Sequence, residues 1–421
     1  MDFCVLPSGA VTLRNLKTPA CLIGQDGDLA SIDLTIVDGH LSAEPAETVI
    51  DMKGAMVFPA FVDMHTHLDK GHIWGRAPNP DGTFPGALST VEADRIANWS
   101  AGDVRTRMEF ALRCAWAHGT QAIRTHLDSR PPQDEISFGV FRDMRAEWAG
   151  RIDLQAVCLV SIENVSKDGP FRGTADIVAE SGGVLGAVSY PIPGLKDRLL
   201  DFFHMAGERG LATDMHVDES VNPSVATLRT IAETVLETGF DAPLTVGHCC
   251  SLSVHDEAEA MHTLDLVAKA GINVVSLPMC NMYLQDRLSD RTPRLRGVTL
   301  VHEMRERGIN VSFASDNTRD PFYAYGDLDM IEVMREATRI AHLDHSRDDW
   351  AKAFTIGPAG ACGFDLPLLA GGASADLVIC KARSWTELFS RPQSDRVVIR
   401  GGQQIDRTLP DYSELDHLMS A

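Results

Sequence analysis

His65 and His67 stand two apart at the end of the apolar run 56–62. In an extended strand, side chains two apart share a face, so both imidazoles can aim at one point above the strand end. Two neutral nitrogens converging there supply half of a four-coordinate metal site. Other segments offer the rest. A second apolar run leads to His126 and Asp128, another to His216-Val217-Asp218-Glu219, another to His248-Cys249-Cys250, and another to Ser315-Asp316-Asn317. Read with apolar interiors, these runs deliver ionisable groups only where they stop, which points to one site.

Ligand chemistry orders the candidates. His65, His67 and His216 offer imidazole nitrogen and Asp316 a hard oxygen, a set that suits one divalent Zn or Fe ion and leaves a place for water. Such an ion lowers the pKa of a bound water from about 15.7 to about 7, giving a nucleophile at neutral pH. His248 reads as a group that orients the site or donates to developing negative charge, or as a further ligand. Glu219, three residues past His216, could shuttle protons between the attacked ring's nitrogen and the leaving group.

The elements that must hold these residues can be counted. Short apolar runs at 56–65, 121–126, 154–159, 184–189, 212–216, 244–248, 272–277 and 310–315 alternate with segments apolar at helical spacing, such as 101–118, 223–238, 256–270 and 300–307. Eight such units predict a (β/α)8 TIM-type barrel over 56–366, with its chemistry at the C-terminal strand ends. The β-rich stretches 1–55 and 367–421 predict a small β-sandwich domain built from both ends of the chain, with an acidic, peripheral tail after Pro410. Residues 76–88, rich in Pro, Gly and Asn, read as a long loop after the first strand, placed either as a lid over the barrel mouth or as passive surface.

Composition narrows the partners. The chain has 421 residues, 44% of them hydrophobic and 23% charged, and a formal net charge of −21. That charge opposes nucleic-acid binding and favours a small neutral or cationic substrate. No apolar run is long enough to span a bilayer, so no membrane partner is expected. The start lacks the basic and apolar regions of a signal peptide, and nine irregularly spaced Cys suggest reduced thiols, so a cytoplasmic location is expected. Cys249-Cys250 reads as buried free thiol, and His302-Glu303 lacks the second His of a zincin helix.

Phe58-Pro59-Ala60-Phe61-Val62-Asp63-Met64-His65-Thr66-His67-Leu68-Asp69 resembles the opening signature of the amidohydrolase superfamily, and Gly372-Ala373-Ser374-Ala375-Asp376-Leu377-Val378-Ile379 resembles its closing segment. Ile123-Arg124-Thr125-His126-Leu127-Asp128, His216-Val217-Asp218-Glu219, Asn281-Met282-Tyr283-Leu284-Gln285-Asp286-Arg287 and Arg319-Asp320-Pro321-Phe322-Tyr323 are similar to bacterial cytosine deaminases. The resemblance implies His65, His67, His216 and Asp316 as metal ligands. It implies Glu219 as proton donor to the ring nitrogen, and His248 with Asp316 as the groups that position and deprotonate the water. Phe322 would be an aromatic wall and Gln285 a substrate contact, in a homo-oligomer acting on a free nucleobase or related heterocycle. The implied reaction is attack on C4 of cytosine or 5-methylcytosine, giving uracil or thymine and ammonia.

Two departures bear on the substrate. Where these deaminases carry a Gln at the third strand's end, this chain has Leu159-Val160-Ser161-Ile162-Glu163, so Ser161 or Glu163 would substitute. Asn317 stands where the best-known members have a second Asp, and a neutral side chain there could admit a 5-methyl group. A dihydroorotase-like reading needs a Lys near 184–191, and none is present. Lys70 in His67-Leu68-Asp69-Lys70 is similar to N-alkylamino-triazine hydrolases and adds a further substrate contact. Isocytosine, creatinine and alkylamino-triazines, or a non-catalytic relative, are the alternatives.

Overall fold

The structure is a computed structural model describing residues 2–366, 368–391 and 395–419. Pro367, where the second β-rich stretch was expected to begin, lies outside the described residues. Eight parallel strands alternate with helices: β1 Phe61–Thr66, β2 Thr120–Asp128, β3 Asp153–Leu159, β4 Leu185–Ser189, β5 Thr213–Val217, β6 Leu244–His248, β7 Asn273–Ser276 and β8 Val311–Phe313. They pair in chain order, β1 to β3 in one sheet and β4 to β8 in another. Isolated parallel bridges Val157–Val184 and Ser161–Val188 join β3 to the β4 segment. Another, Thr66–Asp316, joins β1 to the chain just past β8. These are the parallel sheets of a TIM-like α/β domain.

The helices form for local reasons. In Ala101–His118, Ser100 caps the first turn by accepting the Asp103 N–H, and Gly119 closes the last turn at φ 97°. Its buried residues Val104, Met108, Ala111, Leu112 and Ala115 recur at helical spacing and face the strands. Residues 76–88 are not all loop. Thr83 accepts the Gly86 N–H and Pro85 sits in the first turn of helix Phe84–Asn98, where a missing N–H costs nothing. The Pro read as a breaker is therefore part of a helix start.

The run 56–65 is not one strand. Met56–Pro59 pairs antiparallel with Leu377–Cys380, and Phe61–Thr66 begins the parallel sheet after Ala60. Every residue from 55 to 73 is buried, so polarity alternation could not mark the break. Strands from both ends of the chain share one eight-stranded sheet. Its side chains alternate: Val57, Leu377, Ile379, Val397 and Ile399 fill the sheet's own core, while Met56, Phe58, Val378, Cys380 and Val398 pack into the main core. The strands Met56–Pro59, Leu377–Cys380 and Arg396–Arg400 are thereby buried on both faces and seat the sheet against the main core.

One expectation is corrected and another refined. The strand interiors are not free of ionisable groups: Arg124, Asp214 and Asp63 are fully enclosed there. Arg124 donates to Asp214 at 2.8 Å and to Gln155 at 2.7 Å, and Asp63 accepts from the Ser315 hydroxyl and N–H, so each is paired. The tail after Pro410 lies at the surface, yet it is docked rather than loose. Its turns Tyr412–Leu415 and Asp416–Met419 pack Leu415 against Phe110 and Cys114. Cys249 and Cys250 are buried thiols, as their place beside β6 suggested. Among the described residues no helix is long and apolar enough to cross a membrane.

Candidate active site

Four strand ends bring the expected residues together. His65 lies in β1 and His67 just beyond it, His216 in β5, His248 closes β6, and Asp316 follows β8. His216 Nε2 stands 3.2 Å from His65 Nε2 and 3.3 Å from His67 Nε2. Asp316 Oδ1 is 3.2 Å from His67 Nε2 and 3.7 Å from His65 Nε2. Gly247 leaves room for this convergence, since a Cβ there would come within 3.0 Å of the His65 ring. Asp218, His248, Cys249 and Asp316 all adopt left-handed backbone (φ 51°, 69°, 51° and 64°), a conformation that non-glycine residues hold only when their surroundings enforce it. The enforcement is visible. Asp218 caps the following segment by accepting from Thr227 N, Thr227 Oγ1 and Leu228 N, and Asp316 N donates to His65 O at 2.9 Å.

Burial sets the charge states. It holds His65, His67 and His216 well below the usual imidazole pKa, reinforced by the neighbouring imidazoles and by Lys70 beside His67 and His216. Burial also pushes Asp316 up to about 7, against the neighbouring Cys280 thiol, which favours the carboxylate. Glu219 is raised well above the carboxylate range by burial and then by the Asp316 charge. His248 falls to about 3 through burial and then His126. Asn281 Nδ2 donates to His248 Nδ1 at 2.9 Å and to Glu219 Oε1 at 3.3 Å, so the proton of neutral His248 resides on Nε2.

These residues fit a metal ion. The Nε2 atoms of His65, His67 and His216 converge beside Asp316, both of whose oxygens are buried without a nitrogen or oxygen hydrogen-bond partner. Imidazoles held neutral offer lone pairs rather than charge, the form that binds metal. Ligands at the usual Zn–N distance in a tetrahedron lie about 3.3 Å apart, close to the separations of His216 from its two neighbours. His126 adds a fourth imidazole to the cluster: its ring centroid is 4.0 Å from that of His65, with Nε2 3.3 Å from Asp214.

A cavity of about 920 Å³ opens above the cluster, lined by His67, His216, His248 and Glu219 at its floor. All five expected substrate contacts border it. Lys70 lies 3.4 Å from Asp128 and 5.0 Å from the Phe322 ring centroid, and the charges of Asp128, Asp320 and Asp69 outweigh burial and keep it cationic. Asn317 donates to Asp320 at 2.7 Å, and its carbonyl accepts from the Cys280 thiol at 3.6 Å with a second lone pair to spare. Ser161 shares a 2.7 Å hydrogen bond with Tyr190, and Gln285 donates to the Glu219 main-chain oxygen at 3.2 Å. Phe322 meets Phe84 edge-on at 5.3 Å.

Sequence reasoning left Asn281, Tyr190, Asp214 and His126 without roles. His126, at the end of an apolar run beside the other histidines, and Asn281, at the head of a deaminase-like motif, carried signals that could have placed them.

The parallel sheets and the histidine cluster at their rim have the makings of a metal-dependent α/β hydrolase. The chain matches the Amidohydrolase family over residues 48–126 and 185–406, and it belongs to that family. A pterin deaminase of Rhizobium rhizogenes is 52% identical over 97% of both chains. An N-isopropylammelide isopropyl amidohydrolase of Pseudomonas sp. is 24% identical, covering 80% of this chain and 82% of the relative. Among solved structures, 5-methylcytosine deaminase from Klebsiella pneumoniae liganded with 5-fluorocytosine superposes with a TM-score of 0.80 at 26% identity, covering 95% of this chain and 98% of the other. The chain is accordingly a hydrolase acting on C–N bonds of cyclic compounds.

Proposed function

We propose that this protein is a hydrolytic deaminase of a fused amino-oxo heterocycle, pterin in the first instance, releasing ammonia. The 52% identity to a pterin deaminase along nearly the whole of both chains carries this reading. The cavity supports it, since about 920 Å³ greatly exceeds what one pyrimidine ring needs. Pterin carries its amino group on the carbon between two ring nitrogens, the same edge as isocytosine. The attacked atom would then be C2 rather than the C4 expected for cytosine.

His65, His67, His216 and Asp316 would hold one divalent metal ion, which when bound lowers the pKa of water and so supplies the nucleophile. Glu219, protonated because it is buried beside Asp316, donates its proton to the ring nitrogen next to the attacked carbon. Asp316 takes a proton from the attacking water. His248 donates from Nε2 to hold the water's oxygen, while Asn281 fixes both His248 and Glu219. The proton taken from water passes to the amino nitrogen, the C–N bond breaks, and ammonia leaves while the Glu219 carboxylate takes the hydroxyl proton, which leaves a carbonyl in place of the amino group and restores Glu219 to its protonated form. Phe322 forms one wall of the cavity against the base, and Asn317 presents an acceptor to its N–H edge.

Asn317 and the structural likeness to a 5-methylcytosine deaminase favour a second reading, deamination of 5-methylcytosine. An ammonia-release assay on the metal-loaded protein with pterin, isocytosine, cytosine and 5-methylcytosine separates the two. Pterin should have the highest kcat/KM. A higher value for 5-methylcytosine overturns the first reading in favour of the second.

A further inference from the structure

The loop after β8 carries Asn317 and Phe322 into the cavity, and it is internally braced. Arg319 N donates to Tyr325 O at 2.9 Å, and Asp320 and Tyr323 exchange main-chain hydrogen bonds at 3.0 and 3.1 Å. The Asp320 carboxylate accepts from Asn317 Nδ2 and from the Phe322 N–H. Such a loop moves as a unit, so whatever fixes Arg319 also fixes the two cavity residues. The loop after β1 is zipped to it by His72 N to Thr318 O at 3.0 Å and Trp74 N to Arg319 O at 2.8 Å.

Both loops end on the last turns of the chain. The Arg319 guanidinium lies 4.1 Å from the Tyr412 ring centroid, while the backbone of Arg319 is left-handed at φ 48°. Tyr412 is itself held. Its hydroxyl donates to Asp327 at 3.0 Å, Asp327 also pairs with His118 at 2.8 Å, and its ring packs on Phe110 at 5.4 Å. Arg76, from the first loop, donates to Leu418 O at 3.2 Å and binds the carboxylates of Asp94 and Asp103. Asp94 belongs to helix Phe84–Asn98, whose Phe84, Leu88 and Val91 line the cavity. The tail thus clasps two sides of the cavity from outside.

We propose that Tyr412 is a positioning residue for the substrate wall, acting through Arg319 on Phe322 and Asn317. A flat ring under a guanidinium fixes it without forming a salt bridge, and the effect should fall on substrate binding rather than on the chemical step.

The test compares full-length, metal-loaded wild type with Tyr412→Ala and Tyr412→Phe. In hydrogen exchange, Tyr412→Ala should speed the amides of residues 317–325 by about tenfold or more while those of β6 stay unchanged. In ammonia release, which rests on the deaminase reading above, Tyr412→Ala should raise KM by about tenfold with kcat within about twofold. Tyr412→Phe keeps the ring and its packing on Phe110 while losing the Asp327 contact, and should stay within about threefold of wild type in both. Unchanged exchange in Tyr412→Ala overturns the proposal. So does faster exchange shared with β6, which would make the tail a general stabiliser, and so does unchanged KM despite a loosened loop. If wild type itself releases no ammonia, the deaminase reading fails, and the exchange experiment alone decides whether Tyr412 holds the loop.

Discussion

Asp329 and Asp316 are both almost completely buried, and the difference between them separates structural charge from chemical charge. Asp329 accepts two hydrogen bonds from Arg396, at 2.8 and 2.6 Å, and one from the Ile331 N–H. Burial alone would raise its carboxyl, yet Arg396 and His118 hold it well below the usual range. Asp316, as deeply enclosed, has no cationic or amide donor and rises to about 7. A buried carboxylate that is paired fastens the fold; one left without a donor is poised for a metal or a proton.

The contrast can be broken at either end. The largest effect should come from the unpaired cluster: His67→Ala, or chelation of the wild type, should remove the metal and lower turnover by about 10⁴-fold or more, checked by metal analysis beside ammonia release. Glu219→Gln should keep the metal and lose about 10²- to 10⁴-fold in kcat; full activity would remove Glu219 from the mechanism.

At the paired end, Asp329→Asn leaves Arg396 buried without a counter-charge. It should destabilise the protein by about 3–5 kcal/mol in denaturant unfolding, with kcat of the folded enzyme little changed. The pH dependence sharpens the same point. The pKa of Asp329 is depressed on folding, so its contribution is full above its unfolded value of about 3.9 and is lost as pH falls below it. Between about pH 5 and 2 the wild type should therefore lose more stability than Asp329→Asn. The smallest effect belongs to a pair that is neither buried nor strained. Arg105 and Glu147 meet at 2.6 Å but are 39% and 48% exposed, and Arg105→Ala should cost about 1 kcal/mol or less.

The sequence was most legible where types and spacing constrain each other. The eight strands appear near the expected positions, and His65, His67, His216, His248, Glu219 and Asp316 meet because each follows an apolar run on the same rim. Residues whose role depends on a distant partner were harder to read. Arg124 and Asp214 were passed over in strands read as apolar, because nothing local announces that each neutralises the other across the interior. Asn281 heads a deaminase-like motif, yet only its 2.9 Å approach to His248 shows its purpose. Tyr412 lies in an acidic tail whose composition suggests solvent.

The split of residues 56–65 between two sheets has a consequence for how the chain is made. Met56–Pro59 needs Leu377–Cys380 as its partner, and nearly the entire parallel domain is translated between them. The strand leading directly into His65 therefore leaves the ribosome early with one end unpaired, and that sheet is completed only when the last segments arrive. Until then its apolar residues stay exposed as an open edge, so the newly synthesised chain should depend on chaperones for longer than its many local βα units would suggest.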